Sequence, residues 1–401
     1  MKSALRLLLG TYVRTMFLAL GLLLPATKMG AQETLKPVWT ASLQPYGYRH
    51  NWGPSRKFTR VDGLAATKDT IAVALGDHDY RDGKRFSSLR LILLETRTGK
   101  FLSKLGPWES DPPYRLTSTQ EGRFLLFLSE GELHLFSSSG EELKEVNLEV
   151  PSVSPGRLWY TRLFVSPSNQ TILIASTEFH SGEAHHRIYS ADTLELKMDW
   201  TEAGKKGTRT PSIVGISDEQ MLGSEGNSGR HFLRDFKGPW QDLSLPHGEV
   251  GRDRHLILSR SEPAFLKDAL IVSSPYQANA EALISVVQTD GKLVSQHAIP
   301  KLPDYNHATG VRAVSQDSRY FAVALEHENK LSHWWDSTMD MWPWGADYYL
   351  YVWRVGTRVP KARIQTSGSA SASFVPEVSG IVIADGDGVN LFRLPDTSPG
   401  E

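Results

Sequence analysis

No cysteine occurs anywhere in the 401 residues. That absence excludes a disulfide framework, a thiolate metal site, a cysteine nucleophile and a lipid-modified cysteine. Excess charge of one sign is missing too. Lys and Arg number 44 against 45 Asp and Glu, a formal net charge of −1, so no basic face points to nucleic acid. No apolar run reaches the ~20 residues a membrane span needs. There is no Gly-x-Ser-x-Gly elbow, no phosphate-cradling glycine loop before a helix, no dinucleotide fingerprint and no His-Glu-x-x-His pair. These gaps leave a neutral chain whose motifs name no reaction. Its 40% hydrophobic and 22% charged residues are ordinary for a folded protein.

The N-terminus has the layout of a secretory signal. Lys2, Arg6 and Arg14 supply positive charge, Met16 to Leu24 is a short apolar core, and Pro25 breaks it. Gly30-Ala31 then Gln32 offers a cleavage point, although Met29 is large for its place and the apolar Leu5 to Leu9 would also suit a retained anchor. The reading is a signal peptide over 1–31, a single domain over 32–395 and a disordered tail over 396–401. The mature protein is expected to be secreted or periplasmic, with no stable membrane insertion after cleavage. A large β-domain has core enough to do without disulfides after export. Asn169-Gln170-Thr171 fits a glycosylation acceptor.

Seven short apolar runs recur along the chain: Thr70–Leu75, Arg123–Leu128, Gln170–Ala175, Gln220–Ser224, Ala269–Ser273, Arg319–Leu325 and Gly380–Ala384. Measured between the turn residues Asp69, Gly122, Asn169, Glu219, Asp268, Ser318 and Ser379, the steps are 53, 47, 50, 49, 50 and 61. A fixed period of this size marks a repeat architecture. In the first period Val61–Ala66, Thr70–Leu75, Leu89–Glu95 and Phe101–Leu105 read as four strands, with a turn at Thr98-Gly99. Runs such as TIAVAL and RFLLFL are apolar nearly throughout, which suggests strands buried on both faces. Radially packed four-stranded sheets bury strands in this way. The sequence therefore predicts an all-β, seven-bladed β-propeller with four-stranded blades. The last repeat lacks a fourth strand, and Val38–Leu43 is a spare one; it is predicted to complete the last blade and close the ring. Units such as TIAVAL…LRLILLETRTGKFLSKL resemble the WD40-like and YVTN-type propeller superfamily over the mature chain. The tryptophan-aspartate dipeptide of typical WD repeats and the paired glycines of kelch repeats are absent from the expected positions. The resemblance thus implies a fold and no particular activity.

With strands a to d running outward in each blade, the b–c and d–a connections share one face. They are expected to be long and chemically rich, whereas the a–b and c–d turns are short. Gly76–Ser88, Glu178–His186 and Glu326–Tyr348 read as b–c loops; Arg252–His255 and Asp304–His307 belong to d–a connections. This places His78, His180, His185, His186, His255, His307, His327 and His333 on one face, with Asp77, Asp79, Glu178, Glu183, Glu326 and Glu328. Imidazoles and carboxylates together can bind a divalent metal or transfer protons. The first residues of these loops, Asp77, His78, His180 and His327, are the metal candidates, and His78, His180 and His327 the catalytic ones. Against this stands the ordinary behaviour of loop histidines, which are mostly solvated and inert. No cofactor is predicted; a divalent metal is the one such group the residues allow.

The blade-six insertion carries His333, Trp334, Trp335, Trp342 and Trp344. Four tryptophans here fit either a mini-core or an aromatic ligand platform. Two functions stay open beside a purely structural role. One is a non-catalytic propeller binding a glycan, peptide or protein on the b–c/d–a face through these five residues. The other is a metal-assisted hydrolase or lyase on the same face.

Overall fold

A computed structural model describes residues 34–49, 57–81, 84–109, 115–128, 131–148, 159–178, 182–203, 211–224, 230–243, 264–267, 269–273, 283–298, 305–328, 347–367, 370–377 and 379–395. The expected signal segment (1–31) and tail (396–401) lie outside them. Seven four-stranded antiparallel sheets follow one another in chain order. After strand β1 (Trp39–Ser42), blade 1 comprises β2 (Lys57–Ala66), β3 (Thr70–Arg81), β4 (Lys84–Glu95) and β5 (Phe101–Glu109). Blade 2 is β6 (Arg115–Ser118), β7 (Phe124–Phe127), β8 (Glu132–Phe136) and β9 (Glu142–Asn147). Blade 3 is β10 (Trp159–Val165), β11 (Thr171–Glu178), β12 (Ala184–Ser190) and β13 (Leu196–Glu202). Blade 4 is β14 (Ser212–Ile216), β15 (Gln220–Ser224), β16 (His231–Asp235) and β17 (Gln241–Leu243). Blade 5 is β18 (Ala264–Leu266), β19 (Ala269–Ser273), β20 (Leu283–Gln288) and β21 (Leu293–Ala298). Blade 6 is β22 (Tyr305–Val314), β23 (Tyr320–Glu328), β24 (Asp347–Arg354) and β25 (Ala362–Thr366). Blade 7 has β26 (Ser371–Val375), β27 (Gly380–Asp385) and β28 (Gly388–Arg393), and β1 supplies its outermost strand, as expected. Trp39 lies opposite Leu391 and Ser42 opposite Gly388.

The apolar runs that fail to alternate are explained by what each side touches. In β3, Ile71, Val73 and Leu75 pack with Val375, Val382 and Leu391 of blade 7. Ala72 and Ala74 of the same strand pack with Phe124 and Leu126 of blade 2. Successive side chains of a strand point to opposite faces, so one run serves two seams. The pattern repeats at every junction. Blades 2 and 3 share Leu125, Phe127, Ile172 and Ile174; blades 3 and 4 share Leu173, Ala175, Ile213 and Met221. Blades 4 and 5 share Leu222, Leu233, Phe265 and Leu270; blades 5 and 6 share Ile271, Val286, Phe321 and Trp353. Blades 6 and 7 share Ala322, Val352, Ile381 and Ile383. Seven seams for seven blades leave no open junction, which is the geometric meaning of a closed ring. Each fully buried aliphatic or aromatic side chain in a seam contributes about 1.5–3 kcal/mol.

Closure is reinforced at the outer edge. The Trp39 indole donates from Nε1 to the Thr96 carbonyl at 3.0 Å, so blade 7 grips the c–d turn of blade 1. Gly99 in that turn has φ +71°, and a Cβ there would stand 2.5 Å from Trp39 Cε3. Only glycine meets both demands.

Candidate functional site

The innermost strands line two cavities along the ring axis, of about 810 and 680 Å³. Both include Leu116, Thr117, Asn169, Arg312, Ala313 and Val314, so they adjoin. The larger is lined by a–b turn residues such as Gln316, Asp317, Pro376 and Glu377. The other is lined by inner strands of blades 2 to 6 and by the a–b turn residues Ser166, Pro167 and Asn169 of blade 3, and the charged residues among its lining are Arg115, Arg162 and Arg312. Arg115 opens β6, the end that the d–a connection enters, and lies opposite Phe127. Arg162 stands opposite Ala175 in the next blade. Arg312 is the extra residue of a bulge in β22, between the pairs Val311–Val323 and Ala313–Ala322. Bulges re-aim a side chain out of the ladder, and this one presents a guanidinium to both cavities.

The a–b turns, expected to be featureless, are tied to one another. Lys68 pairs with Glu377 at 2.8 Å between blades 1 and 7. Gln170 Nε2 donates to Gln120 Oε1 at 2.6 Å, and Ser168 Oγ to Asp218 Oδ1 at 2.9 Å. Gln316 Nε2 donates to the Thr119 carbonyl at 3.3 Å, from blade 6 to blade 2. These bonds stitch the a–b end of the ring.

On the opposite end the structure departs from the expected loops. Gly76–Ser88 is no loop: β3 and β4 stay paired from Thr70–Glu95 out to Arg81–Lys84. The two residues between Arg81 and Lys84 are Asp82-Gly83, the strongest short hairpin signal, which polarity of the flanks disguised. Asp77 and His78 are thus neighbours on a strand and face opposite sides. Asp77 accepts from Thr59 Oγ1 at 2.8 Å and pairs with Arg90. Asp79, on the same side as Asp77, pairs with Lys57 at 3.4 Å. His78 is 2% exposed, with Nδ1 3.2 Å from Ser87 Oγ and Nε2 3.5 Å from Asp62 Oδ2. The ring also lies 5.0 Å from that of Phe58. This Asp-His-Ser row sits inside the sheet packing and cross-braces strands a, b and c.

His185 and His186 likewise fall in a strand, β12, and diverge. His185 Nδ1 is 3.1 Å from Thr201 Oγ1, and Nε2 is 3.4 Å from Glu183. His186 is 3% exposed in the blade 3–4 seam, 4.9 Å from the Trp200 ring and 3.6 Å from Glu202. Burial, with a smaller push from the Arg234 and His185 charges, lowers its pKa to about 4 despite the Glu202 carboxylate. Burial alone would raise Glu202, but bonds from Arg234 and Trp200 Nε1 outweigh it and hold the carboxyl below its ordinary value. Arg234 also lies over Trp240, 4.4 Å from the ring centroid. No sequence spacing announced this network, because it is assembled across a seam.

His327 lies in β23, opposite Asn306 and Asp347, with its side chain outside the description. His180, His333, Trp334, Trp335, Trp342 and Trp344 lie outside the described residues. Of the candidate metal and catalytic residues, the described side chains are therefore Asp77 and His78, and they are not brought together.

No protein-family model matches the chain, and no curated protein matches it. Solved structures similar to it include the C-terminal WD40 domain of Sif2, at 12% identity over 91% of this chain and 99% of that one, with a TM-score of 0.44. BamB from Moraxella catarrhalis is 14% identical over 90% and 100% of the two chains, with a TM-score of 0.36. U3-55K is 11% identical over 88% and 98%, with a TM-score of 0.48. Likenesses this distant carry no argument about a ligand, and the fold rests on the seven sheets and seven seams. In architecture the chain is a seven-bladed β-propeller with four-stranded blades.

Proposed function

We propose that this chain is a non-catalytic binding propeller, exported to a secreted or periplasmic location, that takes an acidic protein or peptide segment in its axial channel. One observation carries the reading: the axial cavity lined by Arg115, Arg162 and Arg312, with no carboxylate among its described lining residues. Guanidinium groups recognise carboxylates by bidentate hydrogen bonds, and a low-dielectric mouth focuses their field. The metal-assisted alternative draws no support from Asp77 and His78, which are engaged in separate pairings on opposite sides of β3.

The test is fluorescence anisotropy with labelled acidic, neutral and basic peptides, alongside a glycan array. Acidic peptides should bind best, weaken with salt, and lose at least tenfold in affinity to Arg115→Glu. Equal binding of all peptides, or indifference to that substitution, refutes the reading. A glycan-array signal without peptide binding moves the ligand class to sugar. Hydrolysis of generic esters that chelation abolishes would restore the enzyme alternative. Fractionation with N-terminal sequencing should find a mature chain starting at Gln32.

A further inference from the structure

Away from the axis, the outer hairpin of blade 2 gathers three metal-type donors. His134, Glu142 and Glu145 each offer one ligand atom within 4.8 Å of the others. His134 stands on β8 directly opposite Glu145 on β9. Glu142 and Glu145 are three apart, and a regular strand would send them to opposite faces. A register shift between Leu135 and Phe136 absorbs Leu143 as an extra residue, so Glu142 lies opposite Phe136 and on the side of His134. The bulge is what assembles the set.

The imidazole is fixed before any ligand arrives. The His134 side chain is 5% exposed. Its ring lies 5.9 Å from that of Trp108 and 6.0 Å from that of Phe136. Nδ1 is 2.6 Å from Glu142 Oε1, on the donor side. Nε2 is buried without a hydrogen-bond partner, and the nearest acceptor is Glu132 Oε2 at 3.4 Å. A neutral ring carries one proton, so a cation taken at Nδ1 leaves that proton on Nε2, facing Glu132; a carboxylate behind the distal nitrogen orients a ligating imidazole. Glu142 and Glu145 are exposed, so a cation can reach them from solvent.

We infer that the blade-2 outer hairpin is a binding site for a first-row divalent cation of the zinc class, held by His134 Nδ1, Glu142 and Glu145, with Glu132 supporting the imidazole. One nitrogen and two oxygens suit such ions, and the remaining positions face water. The cation takes the place of the proton between Nδ1 and Glu142, that proton passes to Nε2 to face Glu132 (or to solvent, if the ring was doubly protonated), and β8 is cross-linked to β9. The site is independent of the axial cavity.

The experiment uses the tag-free mature protein after dialysis against chelator and then metal-free buffer. Co²⁺ is titrated by visible absorption and Zn²⁺ by calorimetry, with melting followed in parallel. One saturable site and a raised Tm are expected. Glu142→Gln and Glu145→Gln should each weaken binding at least tenfold with unchanged circular dichroism, because both side chains are exposed. His134→Asn tests the nitrogen but disturbs a buried ring, so the two glutamates decide. Absence of saturable binding, or a Zn²⁺ affinity unchanged in the Glu142→Gln/Glu145→Gln double variant, overturns the assignment.

Discussion

Acid should loosen the ring at the seam between blades 3 and 4, and His186 is the reason. Its pKa in the folded protein is about 4, against an ordinary 6.5, chiefly because it is buried. The unfolded chain therefore takes up this proton first as pH falls. The stabilisation it reflects is complete above pH 6.5 and lost progressively toward pH 4. A displacement from 6.5 to about 4 corresponds to about 3 kcal/mol. At roughly 2.1 cal/mol/K per residue over the roughly 260 described residues, that is a Tm shift of about 5 °C for the whole linkage. The perturbation is His186→Phe, which keeps a ring against Trp200 and removes the titration. Wild type and variant are melted by calorimetry at pH 7 and pH 4.5. The wild-type Tm should fall further than the variant's by about 4 °C, since most of the proton linkage lies in that interval. Identical falls in the two proteins would refute the assignment of acid sensitivity to this imidazole. His297, buried with Nδ1 2.6 Å from the Thr357 carbonyl, is also lowered and adds to the slope in the same direction. Glu202 is held below its ordinary value, so its contribution is lost at more acid pH, outside the His186 window.

Other outcomes follow from particular contacts. Gly99→Ala should destabilise by at least ~2 kcal/mol, because positive φ penalises a Cβ and this one meets the Trp39 ring. Differential scanning fluorimetry should show Gly99→Ala combined with Trp39→Ala losing less than the two single losses together, since removing the ring removes the clash. The doubly bonded Arg230–Asp242 pair is a contrast: both side chains are more than half exposed, so Asp242→Asn should change stability by less than about 0.5 kcal/mol. A larger change would show that Asp242 has a second role.

The fold was legible because its signal is redundant. Seven apolar runs at one period, and the missing fourth strand of the last repeat, each pointed to a closed ring. Doubly buried runs such as Thr70–Leu75 showed that the sheets pack on both sides. The site was legible only in part. Gly76–Ser88 reads as loop because its residues are polar, yet pairing continues to Arg81 and Lys84. Polar side chains there do not interrupt the pairing, and the Asp82-Gly83 dipeptide was the better guide in the sequence. His134 escaped notice because its partners lie eight and eleven residues away and meet through a bulge that no composition reveals. His186, Glu202 and Arg234 meet only once two blades are side by side. The channel arginines carry no motif and gain meaning from the bulge and register that turn them inward.

The pairing of β1 with β28 also sets a timetable. Thr40 Oγ1 bonds Asn390 Oδ1 across 350 positions of chain. A ribosome adding roughly 5–20 residues per second needs roughly 20–70 s between the two. Throughout that interval β1 lacks the strand it pairs with. Unpaired strand edges invite pairing with other chains, so Trp39 to Ser42 must stay shielded or dispersed until the last blade emerges. In a ring closed this way, a strand made before the first blade is among the last to complete its ladder.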